Sequence, residues 1–195
     1  MISRICVYCS SSAHVDPLYF EAADGLGQLI ASGGYQLVFG GGNLGLMGAL
    51  SRSAKDGGGY ITSVNLGLFV KEGINFEAAD ELVVAQTMNE RKRIMAERSD
   101  AFIALPGGFG TLDEIFEALT LGQLQIEKKA IGILNTNNFF HHTLKQLDHM
   151  VEEGFLKQEN RDMIMVSDSI EILIEKMKTY RAPQMTKVIN NVPRK

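Results

Sequence analysis

Hydrophobic residues along the chain form short β-rich runs separated by longer segments in which they recur at helical spacing. This alternation is typical of βαβ units around a parallel sheet. The runs predict seven strands: Arg4–Cys9, Tyr35–Phe39, Tyr60–Val64, Leu82–Ala85, Ala101–Leu105, Ala130–Leu134 and Met163–Val166. We therefore predict an α/β fold, a three-layer sandwich in which a mostly parallel sheet of about seven strands is flanked by helices.

The predicted helices carry start and stop signals. The first begins at Asp16, a capping residue followed by Pro17, and it ends at the glycine pair 33–34. Others are predicted after the second strand and over Met88–Arg98, Thr111–Gln125, Asn138–Glu153 and Ser169–Tyr180. No repeat or linker divides the sequence, so we predict a single domain over residues 1–180. Residues 181–195 include two prolines and little periodicity, and they are predicted as an extended tail.

The composition narrows the class of protein. Hydrophobic residues make up 45% and charged residues 22% of the 195-residue chain, as in globular domains that fold alone. A net charge of −4 gives no broad positive field, so we do not expect a nucleic-acid polymer as a partner. The sequence begins without a secretory apolar run, and no segment approaches the roughly 20 apolar residues of a membrane span. These features predict a cytoplasmic protein with no membrane partner.

Two cysteines, Cys6 and Cys9, stand at C-x-x-C spacing. A redox pair with this spacing opens a helix, whereas these two lie in the strand-like segment ICVYC, and a zinc site needs further ligands. The four histidines lack the mutual spacing of a ligand set. We interpret both cysteines as core residues in a reducing compartment, and we predict no metal site.

A first glycine-rich loop, VFGGGNLGLMGA, passes from a strand straight into a helix. Glycines there let the backbone approach a phosphate, and the free N–H groups of a helix start attract its charge. The loop satisfies G-x-G-x-x-G through Gly40, Gly42 and Gly45. A dinucleotide site expects an acidic residue about 20 positions later, where this sequence has Ser-Val-Asn at 63–65. The loop therefore indicates a phosphate and disfavours a nicotinamide or flavin cofactor.

A second loop, AFIALPGGFGTLDE, passes from a strand through Gly107, Gly108 and Gly110 into a helix that opens at Thr111. In a parallel sheet every strand-to-helix turn lies at the same edge, so the two loops can face one ligand from either side of a switch point. They predict one pocket for a phosphorylated ligand. The lysine-containing phosphate loop G-x-x-x-x-G-K-[ST] is missing from the sequence, which argues against ATP or GTP hydrolysis.

Between the two loops lies the charged segment TMNERKRIMAERSD. By pattern alone, Lys92, Arg93 and Glu97 fit a solvated helix face. Arg91 differs, because it lies at the start of a helix that follows a strand, at the same sheet edge as the glycine loops. Its planar pair of donors makes it a candidate to bind a phosphate or a ribose.

Together, VFGGGNLGLMG, MNERK and PGGFGTLDE resemble the Lonely Guy family, the cytokinin-activating phosphoribohydrolases, whose members have often been labelled lysine decarboxylases. The likeness extends from CVYCSSS near the start to MVEEGF at 150–155, over most of the chain. It implies a Rossmann-like fold and, generally, a homodimer. It also implies hydrolysis of the N-glycosidic bond of a nucleoside 5'-monophosphate, a cytokinin riboside 5'-monophosphate or AMP, to free base and ribose 5-phosphate.

The resemblance also implies site residues at matching positions. Arg91 and Glu114 match the catalytic arginine and glutamate. The phosphate-holding backbone and hydroxyl match Gly41, Gly42, Gly107, Gly108, Gly110 and Thr111, and the neighbours that line the pocket match Met88 and Lys92. Ser10 stands where the family usually has glycine, and Asn89 where many members have histidine. These departures leave the preferred base open.

The sequence leaves two interpretations of Glu114 open. A carboxylate can stabilise the ribosyl cation that forms as the C1'–N bond breaks, and it can orient or deprotonate water. The residues Thr-Leu-Asp-Glu at 111–114 also form a T-x-x-E capping box, in which Glu114 only caps its helix.

The apolar stretch 115–124 exceeds what one core face needs, which adds to the expectation of a homodimer.

Two further functions were compared with hydrolysis. A nucleotide-binding module without turnover would use the same loops, but it would need neither Arg91 nor Glu114. A pyridoxal-dependent decarboxylase requires a Schiff-base lysine, and no lysine lies in a glycine loop. We therefore predict a hydrolase that acts on a nucleoside 5'-monophosphate without a cofactor.

Overall fold

The computed structural model describes residues 2–183, and its strands form one sheet. The strands are β1 (Arg4–Tyr8), β2 (Gln36–Phe39), β3 (Ile61–Leu66), β4 (Glu81–Ala85), β5 (Ala101–Ala104), β6 (Ala130–Leu134) and β7 (Ile164–Ser167). They lie in the order β4-β3-β2-β1-β5-β6-β7, and every pairing is parallel. The α/β prediction with a seven-stranded sheet is confirmed.

Helices cover both faces of the sheet. They are α1 (Pro17–Ser32), α2 (Gly45–Asp56), α3 (Gly67–Lys71), α4 (Met88–Glu97), α5 (Phe109–Gln123), α6 (His141–Glu152), α7 (Gln158–Arg161) and α8 (Ile170–Thr179). One buried cluster joins the sheet to α1, α2 and α8, and a second joins it to α4, α5 and α6. This is the predicted three-layer sandwich. Within residues 2–183, no helix combines the length and hydropathy required to cross a bilayer.

The capping signals of α1 act as the sequence predicts. The side chain of Asp16 accepts a hydrogen bond from the amide of Leu18 at 2.9 Å, and Pro17 occupies the first turn, where no donor is needed. The helix ends at Gly33, whose amide donates to the Leu29 carbonyl at 2.8 Å. The predicted bounds of this helix are confirmed.

Other boundaries differ from the predictions in ways that affect the site. Strand β3 continues to Leu66, so Asn65 belongs to the sheet edge. Helix α5 begins at Phe109 rather than Thr111, because Gly108 is its N-cap residue. The helices α3 and α7 were not predicted, since five and four residues are too few to show helical periodicity. Beyond Pro183, the predicted tail lies outside the described residues.

The strand order brings three strand-to-helix turns together at one edge of the sheet. The chain moves outward from β1 through β2 and β3 to β4, and α4 then leads back to β5 on the other side of β1. The direction of winding thus reverses between β1 and β5, which is where ligands bind in open α/β sheets. The turns after β1, β2 and β5 meet at this edge of the sheet.

The two cysteines lie on opposite faces of the sheet. Cys6 belongs to the core cluster beneath α4, α5 and α6, and Cys9 to the cluster beneath α1, α2 and α8. Both are buried free thiols. Because side chains three positions apart on an extended chain point in opposite directions, these two do not face one another as a redox pair would. They act as core residues, as the sequence analysis interprets them.

Candidate active site

Helix α4 brings Arg91 to the sheet edge, and a capping box fixes where this helix begins. The hydroxyl of Thr87 accepts a hydrogen bond from the amide of Glu90 at 3.1 Å. In return, the carboxylate of Glu90 accepts one from the amide of Gln86 at 2.7 Å. This reciprocal pairing satisfies two helix-start donors, so Arg91 follows directly on a well-defined first turn.

The guanidinium of Arg91 is buried and bonds to three elements. Its Nε donates to the Val64 carbonyl at 3.0 Å, and its Nη2 donates to the Gly40 carbonyl at 3.0 Å. Its Nη1 donates to Oε1 of Glu114 at 2.9 Å. Only 7% of Arg91 is exposed. A Cβ atom at Gly40 would overlap the guanidinium, so the glycine after β2 provides the space that Arg91 occupies.

Glu114 lies one turn into α5 and is 8% exposed. Its pairing with Arg91 shows that the capping interpretation is wrong: Gly108 is the N-cap residue, no side chain caps the helix, and Thr111 is already inside the first turn. Burial raises the pKa of Glu114 above that of an ordinary glutamate, although the charge and hydrogen bond of Arg91 act in the opposite direction. A buried carboxylate with one oxygen held by a guanidinium is an arrangement suited to acid–base chemistry.

The start of α5 is open on the side that faces the cleft. A Cβ atom at Gly108 or Gly110 would meet no other atom within 4 Å, whereas one at Gly107 would overlap Thr111. Gly107 therefore gives Thr111 its room, and Gly108 and Gly110 leave space beside the helix start. Free N–H groups and the helix dipole make such a start a binding site for an anion.

These elements enclose a cleft of about 230 Å³ at the sheet edge. Its lining combines the turn after β1, Gly40, the starts of α2 and α4, and the start of α5. The lining residues are Val7, Cys9, Ser10, Ser11, Gly40, Met47, Met88, Arg91, Gly108, Gly110, Thr111 and Glu114. The predicted residues Arg91, Glu114, Gly108, Gly110, Thr111 and Met88 thus lie together around one cleft.

The first glycine loop has a different role from the second. Gly41 has a positive φ of 79°, and its carbonyl accepts hydrogen bonds from the Asn65 side chain at 3.3 Å and the Phe76 amide at 2.8 Å. Gly42 forms an isolated bridge to Asn75. Neither glycine lines the cleft. Asn65, which stands where a dinucleotide site would have an acidic residue, instead holds this loop against β3.

The start of α2 already has a partner within the chain. The Ser10 carbonyl accepts hydrogen bonds from the amides of Leu46 and Met47 at 3.0 and 3.2 Å. A Cβ atom at Gly45 would collide with the backbone of Ser11 and Ser12, so this glycine lets the turn after β1 pack on the helix start. Since two of its first amides are occupied, α2 offers less to a phosphate than α5 does.

Besides Gly41 and Gly42, two further predicted residues lie outside the cleft. Gly107 borders a small apolar pocket beside Tyr19 and Phe139, on the other side of the loop after β5. Lys92 lies in a separate groove between α4 and α5. Two cleft residues, Ser10 and Ser11, are not among the predicted site residues. Their position directly after β1, at the switch point, is the signal that could have identified them.

Fold and site together define a parallel α/β protein with an open helix start next to a buried Arg–Glu pair. The family described as possible lysine decarboxylase matches residues 47–177. A probable cytokinin riboside 5'-monophosphate phosphoribohydrolase of Oryza sativa subsp. japonica is 38% identical over 97% of this chain and 77% of its own length. A cytokinin riboside 5'-monophosphate phosphoribohydrolase of Arabidopsis thaliana is 40% identical over 95% and 86%. The chain therefore belongs to the Lonely Guy family.

Solved structures show the same fold. The molybdenum cofactor binding protein of Rippkaea orientalis superposes with a TM-score of 0.68 at 28% identity, over 92% of this chain and 97% of that one. The molybdenum cofactor carrier protein of Chlamydomonas reinhardtii superposes with a TM-score of 0.70 at 21% identity, over 92% and 100%. The second likeness concerns the fold alone. These superpositions agree with the Rossmann-like architecture that the family resemblance implies.

Proposed function

We propose that this protein is a phosphoribohydrolase that cleaves the N-glycosidic bond of a nucleoside 5'-monophosphate, a cytokinin riboside 5'-monophosphate or AMP. The observation that carries the proposal is the buried Arg91–Glu114 pair beside the open start of α5. The names of the relatives support the same reaction. No cofactor is part of the proposal.

In this proposal the 5'-phosphate binds at the start of α5. The backbone at Gly108 and Gly110 approaches the phosphate, and the Thr111 hydroxyl adds a donor. Gly107 and the loop at Gly41 and Gly42 lie behind the phosphate-binding residues and support them. Met88 lines the cleft on the side formed by α4. The ribose then extends along the first turn of α5, which brings C1' toward Glu114.

The reaction follows from the charges around C1'. As the C1'–N bond breaks, the base leaves with the bonding electrons and a cationic ribosyl group forms, which the carboxylate of Glu114 stabilises. Water adds to C1' and gives a proton to Glu114. Glu114 then releases that proton, and the departing base takes up an equivalent one through solvent, so that the carboxylate is ionised again at the end of the reaction. Arg91 has five donors, three of which bond within the described part of the chain. Its remaining N–H groups are available to hold the substrate.

A binding module without turnover is the less favoured alternative. Such a module needs the anion-binding start of α5, but it gains nothing from a carboxylate in its charged form buried next to that site. Burying the charge of Glu114 opposes stability, as the raised pKa shows. A carboxylate that is kept in a cleft despite the cost of burying its charge is typical of a catalytic residue.

We further propose a homodimer and a cytoplasmic location. Helix α5 exposes Phe109 and Phe116, and the residues that follow it expose Leu124 and Ile126, so large apolar side chains are exposed near its start, near its middle and just past its end. Such a surface is typical of an interface. The free thiols of Cys6 and Cys9 fit a reducing compartment.

Release of base and of ribose 5-phosphate from a panel of nucleoside 5'-monophosphates tests the function. We expect cleavage of AMP or an N6-substituted analogue, without added metal or pyridoxal phosphate, and much slower cleavage of the nucleoside without phosphate. Equal cleavage of adenosine and AMP would show that α5 does not bind the phosphate. Tight binding of AMP with no release of base would favour the binding module.

A further inference from the structure

Lys92 forms an ion-pair cluster that crosses from α4 to α5. Its Nζ lies 2.9 Å from Oδ2 and 3.1 Å from Oδ1 of Asp113, and it also pairs with Oε2 of Glu117. The Lys92 side chain is only 12% exposed. Burial opposes its charge, but the hydrogen bonds to Glu117 and Asp113 outweigh burial and raise the pKa of Lys92. The sequence pattern predicts that Lys92 is a solvated surface charge. In the structure it is largely covered and paired with two carboxylates.

This cluster spans a groove between the two helices. The groove has a volume of about 560 Å³, and the buried side chains of Tyr8 and Phe102 lie among its lining residues. Lys92 and Glu117 line the groove from opposite helices, and Glu114 lines both the groove and the cleft. Successive residues of α4 therefore bond to α5 on two sides, with Arg91 on the cleft side and Lys92 on the groove side.

The cluster also sets the balance of charge around Glu114. The groups that act on this carboxylate are Arg91 and Lys92 on α4, Asp113 on α5, and Cys6, Tyr8 and Cys9 on or next to β1. The other charged residues that line the same groove are Glu117 on α5, Arg93 and Glu97 on α4, and Glu127. Burial raises the pKa of both thiols and of the phenol, so these three groups carry no charge near neutral pH. Asp113, Glu114 and Glu117 place three carboxylates within two turns of α5. Without Lys92, Arg91 would be the one cation among the described residues that is paired with any of them.

We infer that Lys92, held by Asp113 and Glu117, is a positioning residue that fixes α5 against α4 and keeps Glu114 charged beside Arg91, without contacting the nucleotide. This differs from the pocket-lining role that the family resemblance implies for Lys92. The inference rests on the proposed function only for the effect on turnover, since the effect on Glu114 does not require a substrate.

Titration of the Glu114 carboxyl by ¹³C NMR, with its signal assigned by its loss in Glu114→Gln, tests the electrostatic part. Lys92→Met removes a nearby cation, so the pKa of Glu114 should rise, by roughly half a unit to one unit. Glu117→Gln removes a nearby anion while Asp113 still holds Lys92, so the pKa should fall. Glu97→Gln breaks an exposed pair with Arg93 on the same helix and should leave it unchanged. Shifts of the same sign in both cluster variants, or no shift in either, would overturn the inference.

Kinetics with AMP tests the positioning part. Lys92→Met should lower kcat by roughly three- to tenfold at pH values below the raised pKa of Glu114, change KM less than about twofold, and move the acid limb of the pH profile upward. Lys92→Arg should restore most of kcat, because it keeps the charge and can bridge both carboxylates. A KM raised tenfold or more in Lys92→Met, with an unchanged Glu114 titration, would mean that Lys92 binds the nucleotide. If the wild-type protein cleaves no nucleotide, the proposed function fails while the titration still decides the electrostatic claim.

Discussion

The Nη1 atom of Arg91 lies 2.9 Å from Oε1 of Glu114, and both side chains are less than one tenth exposed. Arg91 is in turn fixed by the carbonyls of Gly40 and Val64, at the ends of β2 and β3. The position of the Glu114 carboxylate is therefore set by Arg91, which is bound to the sheet, rather than by capping of its own helix.

The first prediction concerns Glu114→Gln. Glutamine can still accept the hydrogen bond from Arg91, but it removes the negative charge that would face the ribosyl cation. Turnover of AMP should fall by about 10² to 10⁴. The free energy of unfolding should fall by about 1–3 kcal/mol, because the Arg91 charge stays buried without a counter-charge. Steady-state kinetics and chemical denaturation measure the two effects.

A matched control is Glu152→Gln, which changes an exposed glutamate on α6. This variant should keep both the activity and the stability of the wild type. If Glu114→Gln remains folded and turns over AMP at close to the wild-type rate, Glu114 has no catalytic role.

The second prediction concerns Gly40→Ala, far in sequence from Arg91. The added methyl group would occupy the position of the guanidinium, so Arg91 must move and lose its bonds to Gly40 and Glu114. We expect a loss of about 1–3 kcal/mol of stability and at least about a tenfold loss of kcat. Gly67→Ala at the start of α3 meets only one side chain, at 3.6 Å, and should change neither quantity. Wild-type kcat in Gly40→Ala would contradict the role given to Arg91.

The third prediction compares Gly108, which has open space around it, with Gly107, which packs tightly against Thr111. Gly108→Ala meets no atom of the chain within 4 Å, so the protein should fold with nearly unchanged stability. Its methyl group would point into the space proposed for the phosphate, and KM for AMP should rise about tenfold or more. Gly107→Ala should instead destabilise the fold, because its Cβ would overlap Thr111. Thermal melting and kinetics distinguish the two, and an unchanged KM in Gly108→Ala would place the phosphate elsewhere.

The fourth prediction concerns the exposed face of α5. Light scattering should give about twice the 21.4 kDa of one chain. Phe116→Asp places a charge on the apolar surface and should shift the protein toward the monomer. Ile172→Asp, at an exposed position on α8, is the control and should leave the mass unchanged. A wild-type mass near that of one chain would exclude the homodimer.

The alternation of strands and helices can be predicted from the sequence, because buried strands require short apolar runs and helices a different spacing of apolar residues. It also located both glycine loops, since turns between a strand and a helix need residues without a Cβ atom. Arg91 and Glu114 were identified from motifs. The contacts and the burial of these two side chains could not be predicted, because the local spacing of residues carries no information about either.

The choice between a cap and an ion pair at Glu114 depends on contacts between segments that are far apart in the sequence. A capping box requires Thr111 outside the helix, but Gly108 begins the helix earlier and Arg91 arrives from a distant segment. In the same way, the Ser10 carbonyl takes the α2 amides that looked free in the sequence. The Lys92 side chain is largely covered, because α5 places two carboxylates across the groove from α4. Each outcome depends on groups brought together by the order of strands in the sheet, and residues far apart in sequence carry no local signal of that proximity.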